Sequence, residues 1–181
     1  VVPEAPFQDT GIGIRANGEG WFVVNARESP WREIEGRGAA MSFEGATDFP
    51  QVGVNLFVVG PGEPMAMYHW EADQEDYLVL SGEALLIVEG QERPLRQWDF
   101  VHCPARAPHV IVGAGDGPCA LLAIGAREHQ AGDDWGGYPV DEVAQKHGAG
   151  VEEETTKASE AYARFPEMTF TAYREGWLPG D

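Results

Sequence analysis

MYHWEADQEDYLVLSGE, residues 67–83, places a histidine and two glutamates within seven residues and then runs straight into an apolar strand. Side chains alternate across a β-strand, so His69 and Glu71 share one face and Trp70 takes the other. By the same rule Glu75, Tyr77 and Val79 share a face, with Leu78 and Leu80 opposite. The three residues Ala72-Asp73-Gln74 suffice to bend the chain so that Glu75 turns back over His69 and Glu71. One imidazole and two carboxylates then meet near one point. Asp73 and Asp76 read as exposed charges of the loop and strand face.

Outward from this stretch the dominant period remains two. WFVVNA (21–26), AAMSFEG (39–45) and VGVNLFVVG (52–60) are rich in Val and Phe and bounded by Gly or Pro. AMYHWE (66–71), EDYLVLSG (75–82), EALLIVEG (83–90), RPLRQWDFVHCP (93–104), HVIVGA (109–114) and CALLAIGA (119–126) continue the pattern. Short strands about ten residues apart predict an all-β sandwich or barrel. VGPGEP reads as a tight reversal, Ser81-Gly82 and Gly90-Gln91 as hairpin turns, and GAGDGP (113–118) as another reversal.

Beyond about residue 127 the chain becomes polar, and two short helices are expected at 140–147 and 157–165, capped by Asp141 and Thr156. The closing MTFTAYREGWLPGD, with its alternating aromatics, is expected to add an edge strand. The chain therefore divides into an N-terminal arm with edge strands (1–38), a barrel (39–127) and a partly helical C-terminal extension (128–181) that wraps the barrel or a partner subunit.

Composition narrows the function. Twelve basic residues face thirty acidic ones, a formal charge of −18 over 181 residues. Such a chain repels phosphate backbones and anionic membrane surfaces, so neither nucleic acid nor membrane is an expected partner. No apolar run is long enough for a spanning helix and no leader is visible, so a cytoplasmic protein is expected. Two cysteines, Cys103 and Cys119, do not make a disulfide framework. Cys103 reads as a small buried apolar residue.

A second imidazole comes from His109, which follows CPARAP and opens an apolar strand. Two imidazoles with one or two carboxylates suit Zn, Fe, Mn, Ni or Co, whereas Mg and Ca prefer oxygen throughout. The expected metal group is His69, Glu71, Glu75 and His109, holding a divalent transition metal. Glu71 doubles as a candidate general base. His102, two residues before Pro104, is a candidate helper acid or base. Tyr77 and Arg106 are candidates for lining a substrate pocket, Arg106 as a clamp for a carboxylate or phosphate. Tyr68 and Trp70 read as packing.

The spacing resembles that of the cupin superfamily, whose first motif is G-x5-H-x-H-x3,4-E-x6-G and whose second is G-x5-P-x-G-x2-H-x3-N. Here His69, Glu71, Glu75 and Gly82 fall in the first pattern. Trp98, Pro104, Arg106, His109 and Gly113 fall in the second, and the likeness spans roughly residues 50 to 125. The departures are Glu71 for the second histidine, Trp98 and Arg106 for two glycines, and Gly113 for the final asparagine. The resemblance implies a double-stranded β-helix, or jelly-roll barrel, with the metal inside. It carries over His69, Glu75 and His109 as ligands and puts Glu71 on a ligand position with altered chemistry.

Two classes of function fit. One is a metal-dependent enzyme acting on a small molecule, an iron-dependent dioxygenase or a sugar isomerase. The isomerase would want several Lys or Arg around a phosphate, and only Arg106, Arg93 and Arg96 offer themselves. The order His69-x-Glu71 with a distant His109 also matches the facial triad of 2-oxoglutarate oxygenases, but leaves Glu75 unexplained. The other class is a non-catalytic module holding metal or a small ligand. A homodimer through edge strands is expected in either case.

Overall fold

The computed structural model describes residues 1–180. Among these described residues fourteen strands are formed: β1 (Phe7–Asp9), β2 (Ile14–Ala16), β3 (Trp31–Ile34), β4 (Gly38–Ser42), β5 (Val52–Val59), β6 (Trp70–Glu71), β7 (Glu75–Ser81), β8 (Glu83–Val88), β9 (Gln91–Arg96), β10 (Phe100–Cys103), β11 (His109–Ala114), β12 (Cys119–Ala126), β13 (Gly136–Gly137) and β14 (Thr169–Thr171). Two short helices, α1 (Glu142–Lys146) and α2 (Ala158–Ala161), lie in the C-terminal segment. The fold is all-β with antiparallel sheets, as the jelly-roll expectation required.

One sheet has seven strands in the order β10-β7-β12-β5-β4-β3-β14, and it faces a three-stranded sheet β11-β8-β9. Between them Val59, Val79, Ile111, Cys119 and Leu121 are wholly buried, with Tyr77, Ala84, Leu86 and Val101 around them. Each of the larger aliphatic side chains gains about 1.5–3 kcal/mol from leaving water. A second cluster on the outer face of the long sheet joins Trp31, Met41, Leu56 and Val58 to Tyr173 and Trp177 of the C-terminal segment. The final segment does add an edge strand, β14, which pairs with β3.

Several local expectations are corrected. Residues 21–26 form no strand: Trp21 makes an isolated bridge to Glu4, and Trp21 and Val23 are exposed. Alternation is present there, but beyond that one bridge no neighbouring strand meets it. Of 66–71 only Trp70–Glu71 is regular strand, and the rest follows β11 through single bridges at Pro64 and His69. Residues 93–104 split into β9 and β10 around Trp98, which adopts φ 75°.

Ser81-Gly82 is not a hairpin turn, because β7 and β8 belong to different sheets. It is a corner where the chain crosses from one sheet to the other. Gly82 adopts φ 77°, and a Cβ there would strike the Pro118 carbonyl and come 2.8 Å from the Cys119 Cα. The 113–118 reversal is the matching corner between β11 and β12, so the two corners pack against each other. A true two-residue hairpin joins β8 and β9, with Glu89 and Gly90 both at positive φ between the Val88–Gln91 pair. Asp141 caps α1 through Ala144 N, as expected, whereas the second cap position is Lys157, with no side-chain cap, rather than Thr156.

The motif departures now have a backbone meaning. Trp98 and Arg106 stand where the motif has glycine, and both keep the left-handed conformation, at φ 75° and 66°. The turn geometry survives without the residue that adopts it most easily. Gly113 replaces the motif asparagine for a steric reason. A Cβ there would collide with the Gly60 carbonyl oxygen and lie 2.9 Å from its carbon.

Candidate metal centre

His69 and His109 are brought together by their own backbones. His69 N donates to His109 O at 3.1 Å and His109 N to His69 O at 2.8 Å. The two rings lie 5.1 Å apart between centroids. Glu75 enters from β7, where register sets it opposite Gly125 of β12 and Cys103 of β10. The Glu75 stem packs beside Gly125, where an added Cβ would lie in ordinary contact, 3.9 Å from Glu75 Cγ.

Each imidazole is oriented from behind. His69 Nδ1 lies 2.7 Å from the Met67 carbonyl, and His109 Nδ1 lies 2.9 Å from the Ala107 carbonyl. A carbonyl only accepts, so each Nδ1 carries the proton and each Nε2 turns a lone pair inward. Glu75 Oε2 lies 3.3 Å from His69 Nε2 and 3.4 Å from His109 Nε2. It is buried, yet it accepts no hydrogen bond of adequate geometry. The Tyr77 hydroxyl lies 2.9 Å from both Glu75 Oε1 and His109 Nε2, and its single proton can serve only one of them.

Three acceptor atoms, from His69, Glu75 and His109, thus lie within 4.8 Å of one another with a deficit of protons between them. A buried polar atom without a partner is costly, and a cation at this point would satisfy all three. The donor set, two neutral nitrogens and a carboxylate, is that of a divalent transition ion.

Electrostatics follow from crowding. Burial pushes the Glu75 carboxyl up, but the His69 imidazole foremost, then His109 and the Tyr77 hydroxyl, outweigh it and hold the group down at about 2. Burial pushes His69 down, and Glu75 and then Glu71 outweigh it, so His69 sits above the ordinary histidine value. His109 is lowered by burial and then by the neighbouring His69 charge. Burial first, and the Glu75 charge second, raise the Tyr77 phenol well above its usual value. The same two causes push Glu71 up to about 7.

Glu71 lies at the edge of the group, with Oε1 4.0 Å from His69 Nε2. It lines a cavity of about 90 Å³ together with His69, Trp135, Tyr138 and Thr156. Tyr138 is a site residue that strand reading missed: its ring lies 6.1 Å from that of His69 and packs edge-on against Tyr162. It reaches the site because β13 pairs with β6, so the C-terminal segment covers this end of the barrel.

The remaining expected residues go elsewhere. His102 alternates to the outer face of β10 and pairs with Asp76 at 2.7 Å, away from the cluster. Arg106 is exposed, pairs with Asp134 at 2.8 Å and lies over the Trp70 ring at 4.7 Å. Only its backbone touches the site, through Arg106 N donating to Glu71 O at 2.7 Å. Asp73 is corrected from exposed to buried, because it accepts from His129 N at 2.8 Å and lies 2.6 Å from His129 Nδ1. Tyr68 packs with Ile87 and Val110, as expected. Cys103 and Cys119 are separate buried thiols.

The Cupin domain family matches residues 55–125, the span from β5 to β12 that carries all four acidic and imidazole residues. Among solved structures, a protein from Acidithiobacillus ferrooxidans described provisionally as a sugar phosphate isomerase is 33% identical, over 42% of this chain and 51% of that one, with TM-score 0.41. A sugar phosphate isomerase of the cupin superfamily from Silicibacter pomeroyi is 28% identical, over 52% and 62%, with TM-score 0.47. A cupin 2 domain-containing protein from Halorhodospira halophila is 22% identical, over 49% and 63%, with TM-score 0.45. The chain therefore spans between 51% and 63% of these three proteins. No curated protein matches the chain in sequence.

Proposed function

Residues 55–125 being a cupin domain, we propose that the chain holds a divalent transition ion on His69, Glu75 and His109 and acts there on a small molecule. The observation that carries this reading is Glu75 Oε2, buried without a partner between two inward imidazole lone pairs. A bound ion would supply Lewis-acid chemistry at an oxygen of the substrate or, as iron, chemistry with O2. The chain's own groups do the rest. Met67 and Ala107 carbonyls fix the two rings, Tyr77 orients Glu75, and Tyr138 and Trp135 restrict water. Glu71, near 7 and at the cavity edge, exchanges a proton with the bound molecule.

The cavity of about 90 Å³ corresponds to roughly three waters. No Lys or Arg is among its lining residues. Both facts favour a compact substrate, and an oxygenase over a sugar isomerase. Glu71→His should keep the metal, and Glu71→Gln should keep it while lowering turnover about a hundredfold. Metal kept in Glu71→His but lost in Glu71→Gln would give Glu71 a ligand's role instead, and loss of metal in Glu71→His would show that Glu71 has a separate job. Oxygen uptake by iron-loaded protein with small candidate substrates tests the enzyme, and firmly bound zinc with no uptake favours the non-catalytic module.

Below its raised titration value His69 also takes a proton on Nε2, and metal binding must then displace it. Because His69 is raised above 6.5, acidification through that raised value lowers metal affinity by about tenfold per pH unit. In the metal-free protein the sign is opposite. The stabilisation from the raised His69 is complete below 6.5 and fades as pH rises through its folded value. Competition titration between about pH 5 and about pH 8 checks this, and a flat profile would contradict it.

The same reading includes a homodimer in the cytoplasm, with no nucleic acid or membrane partner. Exposed Trp21 and Val23 on the N-terminal arm favour self-association. No helix among the described residues is long and apolar enough to cross a membrane.

A further inference from the structure

In a chain with thirty acidic residues and twelve basic ones, an arginine that is partly buried and yet forms no ion pair is out of place. Arg32 and Arg37 are two such residues. Register pairs Arg32 with Ala40 and Ala40 with Phe57, which sets Arg32 on the inward face of the long sheet. Both arginines are partly buried and line one void of about 50 Å³ with Phe57 and Met65. Arg37 donates to the Met65 carbonyl at 2.8 Å and lies 4.2 Å over the Tyr162 ring, while its buried Nε has no partner. The Arg32 guanidinium forms no ion pair with any described carboxylate; Glu44 attracts it only at longer range. Burial, foremost, lowers both from the usual arginine value.

Arg32 also lines a larger cleft of about 320 Å³ between the N-terminal arm and β3–β4, together with Arg15, Ile12, Pro30 and Phe170. Glu44 lies in this cleft but is already satisfied. Arg127 binds both its oxygens, and Ser42 Oγ and Phe49 N donate to it as well. The cleft thus presents two uncommitted guanidinium groups on an apolar frame, at the size of small-molecule sites.

We propose that this cleft binds a small organic anion, its carboxylate or phosphate held by Arg32 and Arg15 and its body resting on Ile12, Pro30 and Phe170. Arg37, beneath, adds positive potential without touching the ligand. A guanidinium fork matches either oxyanion. The site is separate from the metal group and does not depend on it.

The test is a thermal-shift titration of the full chain with benzoate and with inorganic phosphate, against chloride at equal ionic strength. A saturable rise in Tm is expected with one of the two anions, and that anion assigns the ligand class. Arg32→Gln should weaken the response about tenfold or more, and Arg15→Gln, at an exposed position, should weaken it without risk to folding. Because Arg32→Gln removes an unpaired, partly buried charge, the ligand-free Tm should not fall. No saturable shift with either anion, or shifts undiminished in both variants, overturns the proposal.

Discussion

His109→Ala should leave a folded β protein that no longer holds metal. His109 supplies one of three inward acceptors and is almost wholly buried. Removing a group that merely orients a ligand costs metal sites ten- to a hundredfold, so removing a ligand should cost at least about a hundredfold. The backbone of His109 already holds two bonds to His69 and a place in β11 opposite Val88. Alanine keeps these, and the far-ultraviolet circular dichroism should change little. His102→Ala is the matched control, since His102 faces outward toward Asp76, and its metal content should equal that of the parent. Stoichiometric metal in His109→Ala would remove His109 from the ligand set.

Gly113→Ala should be among the most damaging single substitutions in the barrel. Its Cβ would collide with the Gly60 carbonyl, which crosses at this point while Gly113 N donates to Glu63 O and Gly113 O accepts from Gly62 N. Backbone on both sides is tied down, so relief requires a main-chain shift. A loss of about 3 kcal/mol or more is expected, which for a chain of this length is a fall in Tm of roughly 6–12 °C. Gly117→Ala on the same corner meets nothing within 4 Å and should change stability by less than about 0.5 kcal/mol. Equal melting of the two variants would refute the steric account of why glycine replaces the motif asparagine.

The site was legible where alternation and spacing suffice. The bend Ala72-Asp73-Gln74 does return Glu75 to His69, and the shared face of Glu75 and Tyr77 is the one that reaches His109. Parity also held the answer for His102: Val101 and Cys103 point inward, so the residue between them must point out. What stayed hidden depends on partners far along the chain. Asp73 is buried because His129, fifty-six residues away, covers it. Tyr138 reaches His69 only because β13 pairs with β6. Residues 21–26 have the pattern of a strand, but their backbone pairing stops at the single Trp21–Glu4 bridge. Ser81-Gly82 has the composition of a hairpin turn, and only the assignment of β7 and β8 to different sheets makes it a corner.

Elemental analysis of the full chain, purified without added metal, bears most directly on the central claim. Convergence of two imidazole nitrogens and an unpartnered carboxylate oxygen predicts about one transition ion per chain, retained through dialysis and released by acid as His69 takes up its proton. A chain that stays metal-free after incubation with zinc, manganese and ferrous iron, with unchanged Tm, would contradict it.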